Sequence, residues 1–68
     1  MTADEMKNEI IKFRREHDNV SAMVYSFKSK EELQEGIDNL KILQQRGFVQ
    51  SYTNLSTKNR FECQIMLR

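Results

Sequence analysis

Apolar residues recur at helical spacing near the start of the chain. Met6, Ile10 and Phe13 follow one another at intervals of three or four residues, which is the spacing of one face of an α-helix. The preceding sequence Thr2–Glu5 has the form of a capping box, in which a hydroxyl and a carboxylate satisfy free amide groups at a helix start. Asp18-Asn19 favours a turn. The pattern therefore predicts a first helix of about three turns that ends before this pair.

A second helical pattern runs from about Ser29 to Arg46. It opens with another capping-box sequence, Ser29–Glu32, and stops at Gly47, a residue that favours the left-handed conformation found at helix ends. Gly36 lies inside it at a cost of about 1 kcal/mol relative to alanine, which indicates a closely packed neighbour or a tolerated loss. The apolar face of this helix comprises Leu33, Ile37, Leu40 and Leu43.

Three other segments have the composition of strands. Val20–Phe27 alternates small or β-branched residues with larger ones, which predicts a strand that is covered at least partly on both faces. Phe48–Leu55 and Arg60–Arg68 flank a polar turn and predict a β-hairpin.

The register of this hairpin is predicted from the pairing that keeps apolar residues together. A three-residue loop, Thr57–Asn59, with Asn59 in the left-handed region, places the apolar odd-numbered residues of the last strand on one face. The resulting pairs are Val49 with Leu67, Ser51 with Ile65, Thr53 with Cys63 and Leu55 with Phe61. The residues that then face outward are Tyr52, Glu62, Gln64 and Met66.

The element order is therefore α-β-α-β-β, in a single domain that spans residues 1–68. The chain has no proline and no low-complexity segment, so nothing in it reads as a linker. We expect an α+β fold in which a small three-stranded antiparallel sheet is packed on one face by two helices. The predicted core comprises Met6, Ile10, Phe13, Leu33, Ile37, Leu40, Leu43, Phe61, Cys63, Ile65 and Leu67.

The composition adds expectations about location and assembly. Eleven basic and ten acidic side chains leave a formal charge of +1, which gives no overall attraction to nucleic acid or to an anionic membrane. With Cys63 as the single cysteine and no apolar run of signal-peptide or membrane-span type, we expect a cytoplasmic protein. A chain of 68 residues buries a small core, so we also expect a homodimer.

Candidate catalytic chemistry is sparse. One histidine, His17, and one cysteine, Cys63, leave few ways to build a nucleophile and a base, and Cys63 alternates with apolar residues as a core residue does. The two residues also fall short of the four ligands of a structural zinc site. The sequence therefore predicts a protein that is not an enzyme and that needs no cofactor or metal.

The stretch Ser29–Val49, followed by a hairpin, resembles the end of a winged-helix domain, in which a leucine-bearing helix closes on a glycine and leads into a two-stranded wing. In that family the matching helix enters the major groove and the wing tip contacts phosphates. The resemblance implies a winged-helix-like fold and a transcriptional regulator that binds DNA. It assigns DNA contacts to Lys30, Gln34 and Asn39 on the helix and to Lys58 and Arg60 at the wing tip.

The charges favour a different function. The exposed side of the second helix is acidic, so it would repel DNA and suits a basic partner or the mimicry of a line of phosphates. The outer sheet face offers an aromatic ring and a flexible thioether, both of which are common in protein contacts. We therefore favour a small non-enzymatic protein-binding module, such as an accessory or inhibitor protein of a bacterium or phage. The candidate protein-binding residues are Glu31, Glu35, Asp38, Tyr52, Gln64 and Met66.

Overall fold

Two helices and three strands make up the fold. The computed structural model describes the whole chain, residues 1–68. The elements are α1 (Ala3–Glu16), β1 (Ala22–Phe27), α2 (Lys30–Gln45), β2 (Val49–Asn54) and β3 (Phe61–Leu67). This confirms the predicted order α-β-α-β-β and the α+β class. Neither helix combines the length and the apolar character that crossing a bilayer requires.

Local capping chemistry sets the helix starts as the sequence predicts. At α1 the Thr2 hydroxyl accepts the amide of Glu5 at 3.1 Å, and the Glu5 carboxylate accepts the amide of Thr2 at 2.8 Å. Hydrogen bonding of the Thr2 backbone amide, and then of its side chain, to the charged carboxylate lowers the pKa of Glu5. At α2 the Ser29 hydroxyl accepts the amide of Glu32 at 3.1 Å, but the Glu32 carboxylate turns to the amide of Lys28. The Glu32 carboxylate therefore bonds to the amide one residue before the N-cap residue Ser29, and not to the amide of Ser29 as in a capping box.

Left-handed residues follow both helices. Asp18 and Asn19 have φ angles of 55° and 56°, in line with their tolerance of this region, and Gly47 has a φ of 79°. No neighbouring atom lies within 4 Å of the position that a Cβ on Gly47 would occupy. The positive φ angle alone therefore favours glycine there. Each reversal lets the chain leave a helix and enter the strand that follows.

The sheet has β3 at its centre. The strand order is β1-β3-β2, and both pairings are antiparallel. Ile65 of β3 lies opposite Met23 of β1 and Tyr52 of β2, which places these three residues on the same face of the sheet. The two helices cover that face, whereas the other face and the two edges of the sheet carry no further element.

The hairpin register differs from the prediction beyond its first pair. Val49 does lie opposite Leu67, but a β-bulge at Gln50 follows, and Ser51 then lies opposite Met66 instead of Ile65. The Thr57 amide donates to the Arg60 carbonyl at 2.9 Å, so the loop has two residues instead of three.

The predicted left-handed Asn59 is also wrong, since the non-glycine residues with positive φ are Asp18 and Asn19. The reason for the new register is burial. Val49 and Tyr52 have opposite parity, and only an extra residue between them lets both side chains face the core.

The core lies between the helices and the inner sheet face. Its fully enclosed side chains come from every helix and from the strands of the hairpin: Met6, Ile10, Leu40, Leu43, Val49, Cys63 and Ile65. Phe13, Ile37 and Phe61 were predicted as core residues but are only partly buried against it. Ala3, Met23 and Val49 are buried without having been predicted. Each of these three lies at the end of an element or on an edge strand, where periodicity is weak.

Burial of Cys63 makes stability depend on pH. Burial raises the pKa of this thiol above its ordinary value. The folded protein therefore keeps the proton after the unfolded chain has lost it, so the contribution is complete below about pH 8.5 and declines above it. We expect the free energy of unfolding to fall by at most about 1.4 kcal/mol per pH unit in this window.

Urea titrations between pH 7.5 and 9.5 measure this slope, and Cys63→Ala is the matched variant. This variant should be less stable at neutral pH, because the substitution leaves a small cavity. Its free energy of unfolding should also change less with pH, because the titrating thiol is gone. Equal slopes for the two proteins would contradict the expectation.

Candidate protein-binding surface

The outer face of the sheet is built by alternation along β3. Cys63, Ile65 and Leu67 point to the helices and are buried, whereas Gln64 and Met66 between them are exposed. Because β3 is the central strand, its outward side chains form the middle row of the open face.

The neighbouring strands supply the two outer rows. Val24 of β1 and Thr53 of β2 lie on either side of Gln64, and Ala22 and Ser51 lie on either side of Met66. At the far end Ser26 lies opposite Glu62, and its hydroxyl donates to the Glu62 carboxylate at 3.3 Å. The residues of this open face are Ala22, Val24, Ser26, Ser51, Thr53, Glu62, Gln64 and Met66.

The open face is almost free of charge within its borders. Glu62 is its one ionisable residue, and the others are apolar or neutral polar. Two of the apolar side chains are well exposed, Val24 at 49% and Met66 at 36%. A methionine in such a position adapts its shape to a partner at low cost.

Cations border this face at both ends of β3. If the alternation of β3 is extended by one residue past each end of the strand, Arg60 and Arg68 fall on the same side as Glu62, Gln64 and Met66, and both are exposed. Arg60 also lines a cleft of about 300 Å³ with Lys28 and Glu62 at the end of β1.

Tyr52 is not part of the open face. The bulge at Gln50 pairs Tyr52 with Ile65, so its ring lies on the helix side and packs against the core. The predicted group of Tyr52, Gln64 and Met66 is therefore divided between the two faces of the sheet. Gln64 and Met66 keep their predicted outward position.

Val24 of β1 is an outward apolar residue that the sequence did not identify as part of the binding surface. Val20–Phe27 was predicted to be covered at least partly on both faces, yet Val24 and Ser26 are exposed. Small and β-branched residues occur on either face of a strand, so their alternation did not separate an open face from a covered one.

The predicted acidic surface lies on the opposite layer of the molecule. Glu31, Glu35 and Asp38 are all exposed along α2. Glu35 pairs with the amino group of Met1 at 2.7 Å, and Asp38 accepts a long 3.5 Å hydrogen bond from Gln34. The two candidate protein-binding surfaces therefore face away from each other.

The residues assigned to DNA contact by the winged-helix resemblance are not all available. Asn39 is buried at 7% exposure, and its side-chain amide donates to the Met1 carbonyl at 3.0 Å. Lys30 and Gln34 on α2 are exposed, as are Lys58 and Arg60 at the hairpin tip. Helical spacing does not predict the contact between Asn39 and Met1, because that contact depends on how the first residues of the chain cross α2.

A groove of about 330 Å³ lies between the start of α2, the end of β1 and α1. Glu9, Glu32 and Glu35 line it together with Tyr25 and Asn39. The Tyr25 hydroxyl donates to Glu9, and partial burial together with this carboxylate raises the pKa of Tyr25. The carboxylates mostly serve hydrogen bonds within the chain, and no group of three or more acidic, histidine or cysteine side chains is placed to hold a metal ion.

His17 and Cys63 are placed in different surroundings. His17 is exposed at the end of α1, where its ring stacks on Phe13 at 4.0 Å and Nδ1 lies 2.9 Å from the Phe13 carbonyl oxygen. Cys63 is enclosed at the centre of the sheet. Burial raises the pKa of the Cys63 thiol, which disfavours the thiolate that a nucleophile requires.

Comparison of the chain with family models, curated proteins and solved structures finds no match.

Proposed function

We propose that the chain is a non-enzymatic protein-binding module whose open sheet face receives an amphipathic helix of its partner. The observation that carries this proposal is the asymmetry of the sheet. Two helices cover one face, while the other exposes Val24 and Met66 in a nearly uncharged surround. Exposed apolar side chains on a nearly uncharged sheet face are suited to packing against a further layer.

The dimensions of the open face suit one helix. Three adjacent strands span about 10 Å between the outer two, and six residues of strand extend for about 20 Å. An α-helix is about 10–12 Å wide, and about 13 of its residues cover 20 Å. The open face is therefore large enough for one helix, which would contact Gln64 and Met66 along the central row.

Charge restricts the chemistry of that helix. Arg60 and Arg68 border the central row at both ends, and Lys28 lies near one of them. The complementary partner has an apolar stripe flanked by acidic residues, because such flanks pair with the border cations at little desolvation cost. The acidic side of α2 repels the acidic flanks of the same partner. This repulsion favours approach of the partner to the open face.

A series of three synthetic peptides tests the proposal. Each is an amphipathic helix of about 14 residues with the same leucine stripe, and the flanks carry glutamate, glutamine or lysine. We expect the glutamate peptide to bind most tightly and the lysine peptide most weakly. NMR titration should shift the amide resonances of Val24, Thr53 and Gln64, and added salt should weaken binding of the glutamate peptide.

Met66→Asp is the informative variant and Gln34→Asp is its control. We expect Met66→Asp to weaken binding of the glutamate peptide by about tenfold or more, because it places a carboxylate at the centre of the contact. Gln34→Asp adds the same charge to the exposed side of α2 and should leave the affinity within about twofold. Resonance shifts that map to α2, or a reversed charge series, would reject the proposal.

Duplex DNA is the competing ligand, and the cleft that holds Lys28 and Arg60 is the observation in its favour. The buried Asn39 and the acidic surface of α2 weigh against it. A low-salt mobility shift of duplex DNA that is lost on replacing Lys58 and Arg60 with alanine, in a protein that binds none of the peptides, would decide for DNA.

A further inference from the structure

The two edges of the sheet are protected to different degrees. β1 and β2 are both edge strands, and the unpaired amide and carbonyl groups of such a strand can bind another strand unless something blocks them. At β2 a bulge interrupts the strand at Gln50, and the Gln44 side-chain amide donates to the Gln50 carbonyl at 3.1 Å. Bulges and capped carbonyls are common means of blocking an edge.

β1 has no such protection. Its sequence, Ala22–Phe27, contains no charged residue and no proline, and its pairing with β3 is regular throughout. No side-chain hydrogen bond within the chain reaches the backbone groups of Ala22, Val24 or Ser26. An uncharged, regular and uncapped edge is the kind that pairs with a further strand.

The alternation of hydrogen bonds between β1 and β3 shows which backbone amide and carbonyl groups of β1 are free. The Leu67 amide donates to the Ser21 carbonyl at 2.7 Å, so Ser21 belongs to a hydrogen-bonded pair with β3. Bonded and non-bonded positions alternate in antiparallel strands. The backbone groups of Ala22, Val24 and Ser26 therefore point away from β3, towards the open edge.

We propose that β1 pairs antiparallel with β1 of a second copy, with Val24 of one copy opposite Val24 of the other. This register brings the free groups of the two strands face to face. Ala22 then lies opposite Ser26, Met23 opposite Tyr25, and about six main-chain hydrogen bonds form. The first charged residue beyond the strand, Lys28, lies opposite Val20, so the register opposes no like charges.

The alternative symmetric registers are less favourable. Shifting the strands by one step towards Phe27 places Tyr25 against Tyr25, although its hydroxyl is already bonded to Glu9 within the chain. Shifting them the other way places Met23 against Met23 and carries Phe27 beyond Ala22 to the Asp18-Asn19 turn. Only the Val24 register sets the most exposed apolar side chain of the strand against its own copy.

Pairing joins the two sheets into one of six strands, with both open faces on the same side. The interface is one strand wide and lies well below the size of stable dimer interfaces, so we expect a dissociation constant in the range of about 10 to several hundred micromolar. The proposal does not depend on the function proposed above.

Disulfide trapping tests the register. The Cα atoms of a hydrogen-bonded antiparallel pair lie about 5.5 Å apart, which is within the range that a disulfide can bridge. Under mild oxidation we expect Val24→Cys to form a covalent dimer at protein concentrations where Thr53→Cys remains monomeric. Thr53 is equally outward but belongs to the other edge strand. Equal trapping of both variants, or none of Val24→Cys, would reject the register.

Sedimentation equilibrium tests the pairing itself. We expect the wild-type chain to dimerise, Val24→Lys to weaken the dimer by about tenfold or more, and Thr53→Lys to leave it within about twofold. A wild-type chain that stays monomeric up to about 1 mM overturns the proposal. So does a dimer that survives Val24→Lys and is lost in Met66→Lys, since that result means stacking of the open faces.

Discussion

Replacing Leu40 with alanine is expected to unfold a large fraction of the protein. Leu40 has no exposed surface and lies in the core between α2 and the sheet. Removing a buried leucine side chain costs about 2–5 kcal/mol. A chain of 68 residues has a total stability of about 3–10 kcal/mol, so this loss removes much of it.

Urea unfolding followed by circular dichroism measures the effect, and Ile42→Ala is the matched control. Ile42 lies on the same helix but is 39% exposed. Its replacement should change the free energy of unfolding by less than about 0.5 kcal/mol, since alanine also favours the helix. Similar losses for Leu40→Ala and Ile42→Ala would contradict the packing of α2, in which Leu40 is enclosed by the core and Ile42 is exposed.

Gly36→Ala is expected to destabilise the protein, against the ordinary trend for helices. Alanine inside a helix normally gains about 1 kcal/mol over glycine. A Cβ on Gly36, however, would lie 2.3 and 2.4 Å from Cε1 and Cζ of Phe27. The ring must shift, which disturbs its packing against Tyr25, whose ring centre is 4.9 Å distant, and we expect a net loss of about 1–3 kcal/mol.

A double-mutant cycle separates this overlap from other effects of the alanine. In a Phe27→Leu background the ring is gone, so Gly36→Ala should cost much less or become stabilising. The coupling between the two positions, measured by chemical unfolding, should exceed about 0.5 kcal/mol. A Gly36→Ala protein that is more stable than the wild type would show that the ring moves freely.

The sequence predicts the helices well because their determinants are local. The capping hydroxyls of Thr2 and Ser29 bond to amides three residues away, and Gly47 ends α2 through its own φ angle. Gly36 was flagged by its cost to the helix, and the close neighbour that explains it is Phe27. That identification required the approach of α2 to β1, which no local pattern contains.

The sequence predicts the candidate surface only in part because strand register is a non-local property. Gln64 and Met66 were placed correctly on the outer face, since alternation within β3 determines their side. Tyr52 was misplaced because the position of a bulge depends on which distant side chains compete for the core. Val24 was missed for a related reason, since its exposure depends on where the helices lie.

The bulge at Gln50 also changes how the hairpin should be compared with others. Before it, the odd-numbered Val49 points inward, and after it the even-numbered Tyr52 does so. The two segments therefore follow opposite parity rules, although they belong to one strand. An alignment of this chain with a hairpin that lacks the bulge needs a one-residue gap at Gln50, or it will match inward residues with outward ones throughout the rest of β2.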